Sequence, residues 1–207
     1  MQKAGYLMNK VTTIADGVPT RQTTDAGVSD EELLARTDRG DFSAFESLVC
    51  RYQKSALGAA RRFLGDEHEA EDLAQDAFLQ VYRNAHQFRT DAKFKTWFFR
   101  ILTNLCLNRL KKKRPEYLDN LPMGIPTGDD PARVFERREQ RAAVFRAVLK
   151  LPPRQRIAFI LCCFEEMSYT DAARCLGLSV KAVESLLVRA RRTLRKELSP
   201  LRKNISD

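Results

Sequence analysis

A cluster of prolines constrains the fold of this chain more than any other feature. Four of its eight prolines lie in the 17 residues from 115 to 131, together with Gly124 and Gly128. Proline removes a backbone donor and interrupts regular helices, so the cluster predicts a linker between two domains. The expected domains span residues 29–114 and 132–200. Residues 1–28, which show no apolar periodicity, are expected to form a flexible leader, and residues 201–207 a tail.

Both expected domains show the apolar periodicity of α-helices. The clearest stripe has spacings of three and four residues and consists of Ala70, Leu73, Ala74, Ala77, Phe78 and Val81. Similar stripes follow Asp41 and begin again at Phe94. Ser29 opens a Ser-Asp-Glu-Glu sequence typical of a helix N-terminus, and Pro152-Pro153 suits the start of a buried helix. Since no segment alternates convincingly as a strand does, we predict an all-α fold of two small helical domains.

Composition excludes several classes of protein. The apolar runs are shorter than the ~20 residues that cross a bilayer, and the N-terminus has no signal pattern. We therefore expect a cytoplasmic protein with no stable membrane insertion. Five cysteines without a CxxC pair, and only two histidines, argue against a disulfide framework or a metal site. We expect the cysteines to be buried. No nucleophile–histidine pair or phosphate loop occurs, so neither catalysis nor a cofactor is expected.

The segment from Tyr169 to Leu194 has the pattern of a helix-turn-helix. A short helix is followed by Gly177, which suits a tight turn, and by Ser179, a natural N-cap. The exposed face of the second helix then offers Lys181, Ser185, Arg189 and Arg192. Residues 150–207 contain 12 basic and 6 acidic residues, a balance that favours binding to DNA phosphates. The alternative is a plain helical hairpin with a solvated basic face.

Charge is segregated in the first expected domain. Residues 66–76 carry six acidic residues and no lysine or arginine, whereas five of the six residues 109–114 are basic. The acidic stretch suits a basic protein partner, or it simply reflects the preference for acids at helix N-termini. Five aromatic residues between 88 and 99 are interleaved with cations. They are able to stack on unpaired bases or to form core. The sequence leaves both questions open.

Together, these motifs resemble the extracytoplasmic-function (ECF) sigma factors of bacterial RNA polymerase, over about residues 30–198. Residues 40–45 resemble the opening helix motif of that group, and 70–78 its polymerase-binding helix. Residues 94–98 with Asn104 resemble the segment that reads and opens the −10 promoter element. Residues 151–156 and 177–191 resemble the domain that binds the −35 element. Glu184 departs from the commoner pattern, in which lysine is frequent.

The resemblance implies three sets of contact residues. The core set binds core RNA polymerase, at its β′ clamp and β subunits, through Asp72, Gln75, Asp76 and Phe78. The −10 set binds the −10 element through Arg89, Lys93, Lys95, Trp97, Arg100, Asn104, Arg109, Lys111, Lys112 and Lys113. The −35 set binds the −35 element through Thr170, Ser179, Lys181, Ser185, Arg189 and Arg192.

The resemblance also implies promoter DNA and an anti-sigma factor as partners. The anti-sigma factor would hold the chain inactive, in some cases at the membrane, while the active protein would be associated with the nucleoid. The main alternative is a stand-alone helix-turn-helix regulator, which has no need of the acidic stretch 66–76. A purely protein-binding adaptor is a second alternative, which the basic helix-turn-helix disfavours.

Overall fold

A computed structural model describes residues 27–89, 92–112 and 131–199. These ranges are helical and contain no strand, as the periodicity predicts. The predicted tail, all of the predicted linker except Pro131, and the predicted leader up to residue 26 lie outside them. The described helices are α1 Asp30–Asp38, α2 Phe42–Leu64, α3 Glu67–Arg83, a 3-10 turn Ala85–Gln87, α4 Phe94–Lys112, α5 Pro131–Leu149, α6 Pro153–Cys163, α7 Tyr169–Leu176 and α8 Val180–Glu197.

Local sequence explains where most of these helices begin. The hydroxyl of Ser29 accepts the backbone N–H of Glu32 at 3.2 Å and caps α1, as predicted. Asp41 caps α2 by accepting the N–H groups of Ser43 and Ala44, and Asp66 caps α3 in the same way. α6 begins at Pro153, where a helix start was predicted.

The N-terminal helices α1–α4 enclose an aromatic core around Phe98 of α4. Its ring centroid lies 5.0 Å from that of Phe78 on α3 and 5.5 Å from that of Tyr52 on α2. Phe94 stacks on the same ring from one turn earlier, at 6.0 Å. Phe94, Phe98 and Phe78 are at most 2% exposed. The aromatic segment is therefore largely core, which was one of the two possibilities that the sequence left open.

The C-terminal helices α5–α8 form a second layer that packs directly on the first. α7 lies against α4, and α6 and α5 lie against α2. The thiol of Cys175 on α7 donates to the backbone oxygen of Thr96 on α4 at 3.3 Å. Phe99 shares the Thr96 face of α4, three residues further along the helix. It lies off the stripe of Phe94 and Phe98, yet it is fully buried because α4 has helices on two sides.

Candidate nucleic-acid interface

The predicted helix-turn-helix is formed by α7, a tight turn and α8. Ser168 caps α7 by accepting the backbone N–H of Asp171 at 3.1 Å. Gly177 ends α7 with φ 63° and ψ 39°, a left-handed conformation that favours glycine. Ser179 caps α8 by accepting the N–H of Ala182 at 3.2 Å. The local sequence therefore determines the turn and the direction in which α8 leaves it.

The outward face of α8 is polar and mostly basic. Its inward face is buried through Val183, Leu187, Ala190 and Leu194. All six residues of the −35 set, on α7, the turn and α8, are exposed. Glu184 and Val188, which were left out of that set, share this outward face, and the Val188 side chain is 64% exposed. Their helical spacing from Ser185 and Arg192 is the sequence signal that would have identified them.

The −10 set is spread along α4 and the segment before it. Arg89, Lys93, Arg100, Asn104, Lys111 and Lys112 are exposed, and Lys113 lies outside the described residues. Trp97 is half-buried, with its ring centroid 5.4 Å from that of Phe88 and 6.2 Å from that of Phe94. The set therefore combines exposed cations with one half-buried indole ring.

Polar contacts join this part of α4 to the C-terminal helices. The ammonium group of Lys95, a member of the −10 set, donates to the backbone oxygen of Glu165 at 2.5 Å. The hydroxyl of Thr96 donates to the carboxylate of Asp171 on α7 at 3.2 Å. The carboxylate of Glu165, which is 7% exposed, accepts the hydroxyl of Ser55 on α2. In this arrangement the C-terminal helices cover one face of α4.

A buried cation lies close to the same contact between the two layers. Arg156 of α6 is 6% exposed, and its Nε has no hydrogen-bond partner among the described residues. Burial lowers the pKa of its guanidinium, which interacts electrostatically with the Cys106 thiol of α4. Burial also raises the pKa of Cys106 to about 12. Burying a charged side chain while one of its polar atoms lacks a hydrogen-bond partner is costly.

The core set lies on α3 and is only partly on the surface. Asp72 is exposed and Gln75 is half-buried. The carboxylate of Asp76 accepts a hydrogen bond from Arg109 at 2.5 Å, and Arg109 also donates to the backbone oxygen of Glu69 at 2.8 Å. An internal ion pair therefore joins residues that the sequence assigned to polymerase and to DNA.

Phe78, the fourth member of the core set, lies in the hydrophobic core. It is 2% exposed and packs on Phe98. Its position does not support a direct contact with polymerase. The helical stripe explains its role, because Phe78 belongs to the same apolar face as Leu73 and Val81.

The cysteines match the expectation of burial at only two of their five positions. Cys106 and Cys175 are buried, and Cys50 and Cys162 are half-buried, but Cys163 at the end of α6 is exposed. All five are free thiols. Within the described ranges, no group of three histidine, cysteine or acidic side chains is placed to hold a metal ion. None of the described helices is both long and apolar enough to cross a membrane.

Comparison with known proteins identifies the family. The Sigma-70 region 2 family model matches residues 48–116, and the Sigma-70 region 4 model matches residues 141–194. RNA polymerase sigma-H factor of Pseudomonas aeruginosa is 36% identical over 83% of this chain and 95% of its own length. The ECF sigma factor SigW of Bacillus subtilis is 33% identical over 83% of this chain and 97% of its own length.

The fold agrees with that assignment. The structure of CnrH in complex with the cytosolic domain of CnrY matches with a TM-score of 0.64 and 30% identity, over 83% of this chain and 97% of CnrH. The sigma factor RpoE of Bartonella quintana, bound to the anti-sigma factor NepR, matches in fold, with a TM-score of 0.62, 23% identity and coverage of 75% and 96%. The chain therefore belongs to the ECF group of RNA polymerase sigma factors.

Proposed function

We propose that this sigma factor binds core polymerase through α3, the −10 element through the α4 region and the −35 element through α8. The observation that carries this assignment is the separation of charge on the surface. α8 exposes a basic face on a helix-turn-helix. Residues 66–76, the cap and first turns of α3, carry six acidic residues and no lysine or arginine. DNA phosphates repel the acidic surface and attract the basic one, so the two surfaces suit different partners.

The −35 contact follows from the position of α8 after the turn. The second helix of a helix-turn-helix enters the major groove with its N-terminal residues nearest the base edges. Ser179 at the N-cap, and Lys181 and Ser185 in the first two turns of α8, are exposed. Arg189 and Arg192 lie later on the helix and are suited to phosphates.

The −10 contact relies on the partly covered Trp97. A base that leaves the DNA stack costs a few kcal/mol, which a pocket must offset. The segment before Phe94 and the half-buried ring of Trp97 are the surfaces that would hold such a base. Arg100 and Asn104 follow Trp97 on α4 and are exposed, so they would bind the strand beside it.

The two DNA contacts require the helical layers to separate. The −35 and −10 elements lie about 25 base pairs apart, or about 85 Å at 3.4 Å per base pair. In the structure, α4 and α7 are in direct contact through Thr96 and Asp171. We therefore take 29–114 and 132–200 to be separate domains that move apart on the promoter. Fully extended, the 17 residues from 115 to 131 span up to about 60 Å. The domains themselves, whose helices α4 and α8 are each about 28 Å long, are large enough to cover the remaining ~25 Å.

A regulatory protein of the anti-sigma class would control this movement. CnrH is bound to the cytosolic domain of CnrY, and the Bartonella RpoE is bound to the anti-sigma factor NepR. An anti-sigma factor that holds the two layers together would keep this chain off polymerase in the cytoplasm or at the membrane.

Transcription with purified core polymerase tests the proposal. The full chain should direct core polymerase to specific promoters from a genomic fragment library, while alone it should bind those promoters weakly. Asp72→Arg should weaken core binding about tenfold or more, because it reverses charge on the proposed interface. Asp38→Arg, an exposed reversal on α1, is the matched control and should leave the affinity unchanged. Tight promoter binding without polymerase would instead support a stand-alone regulator.

A further inference from the structure

An apolar side chain stands in the middle of the DNA-facing surface of α8. Val188 is 64% exposed, more than any other large hydrophobic residue within 27–89, 92–112 and 139–199. Its neighbours one turn away, Glu184, Ser185 and Arg192, are exposed as well. Leu186 packs against the hydrophobic core, whereas Val188 lies outside both the core and its packed periphery. Val188 therefore has no structural role in holding α8 to the protein.

The chemistry of valine limits what this position is able to recognise. Its isopropyl group has no hydrogen-bond donor or acceptor, so it cannot bind a phosphate or a polar base edge. The major groove offers one apolar group, the C5-methyl of thymine. Valine in a helix also has one strongly preferred rotamer, so it loses little conformational entropy on contact.

We propose that Val188 is a specificity-determining residue that selects thymine at one position of the −35 element by contacting its C5-methyl group. The inference rests on the proposed function, in which α8 occupies the major groove. Arg192, one turn further along, is placed to hold the phosphate backbone while Val188 faces the bases. The residue adds a hydrophobic contact to the polar contacts of the −35 set.

Selective removal of the thymine methyl group tests this contact. Holoenzyme made from the full chain and core polymerase transcribes a promoter library with a randomised −35 segment. The library is prepared twice, with thymine or with uracil in that segment alone. One position should prefer thymine over uracil by about fourfold, the effect of burying one methyl group. Val188→Ala should lose this difference while keeping the preferences at other positions.

Matched variants and the remaining outcomes keep the two proposals distinct. Val144→Ala removes a side chain that is 38% exposed on α5 and should leave the thymine preference intact. Val188→Ala replaces an exposed residue by a better helix former, so the fold should persist, as circular dichroism would show. Equal transcription from both libraries, or a thymine preference that survives in Val188→Ala, overturns the inference alone. No transcription from either library by the unaltered protein overturns the proposed function as well.

Discussion

The hydrogen bond between Ser55 and Glu165 should control the balance between the packed and separated arrangements. Ser55 on α2 donates to the Glu165 carboxylate, which is 7% exposed in the segment between α6 and α7. Ser55→Ala leaves that buried carboxylate without this donor. A hydrogen bond to a charged group contributes about 1.5 kcal/mol or more. Because separation exposes Glu165 to water, the substitution should raise the equilibrium constant for separation about tenfold.

The consequence for binding is an increase in affinity. If only the separated form binds core polymerase and promoter, the apparent dissociation constant falls as that form becomes more populated. Ser55→Ala should therefore bind core polymerase up to about tenfold more tightly than the unaltered chain. X-ray scattering in solution should show a larger radius of gyration, and equilibrium competition measures the affinity.

Ser43→Ala is the matched control for this experiment. The Ser43 hydroxyl also donates to a carboxylate, that of Asp41, at 2.7 Å, but it does so at the start of α2. Its loss should lower overall stability without changing the radius of gyration. If Ser55→Ala changes neither the radius of gyration nor the affinity for core polymerase, the packed arrangement does not limit binding and the reasoning is wrong.

Three further predictions concern the turn, a titrating cap and the recognition helix. Gly177→Ala should lower the free energy of unfolding by about 1–2 kcal/mol, because a φ of 63° strains any residue with a Cβ. The cost should not exceed this backbone strain, since no atom lies within 4 Å of the new Cβ. Gly177→Asn should lower the free energy of unfolding less, and equal urea midpoints for both variants would contradict this. Ser43 and Arg36 lower the pKa of Asp41 from 3.8 to about 2. Stability from this group should thus be present above about pH 4 and be lost as the pH falls towards 2. The free energy of unfolding of Asp41→Asn, measured over the same acidic range, should not show that loss. Arg192→Ala should weaken binding to all −35 sequences about equally and make the logarithmic salt dependence of holoenzyme binding shallower by about one unit. A change in the order of preferred sequences would instead assign Arg192 to base reading.

Local sequence determined the helices and the turn of this protein. A cap or a turn depends on the conformation of a few consecutive residues, so Ser29, Gly177 and Ser179 identify their own structural roles. The stripe from Ala70 to Val81 likewise shows which face of α3 is buried. The order of the motifs was enough to identify the ECF group, because each motif reflects local chemistry that the family requires.

Only the tertiary structure decided how the faces of α4 are used. Periodicity identified the apolar face that includes Phe94 and Phe98. The second contact of α4 buries Phe99 but also uses polar groups, Thr96 and Lys95. Such residues look the same in a sequence whether they face water, DNA or another helix. The same reason kept the pairing of Asp76 with Arg109 hidden. These two charges are 33 positions apart in the chain and meet only when α3 and α4 pack together. The pattern of residues within each helix therefore does not predict the contact.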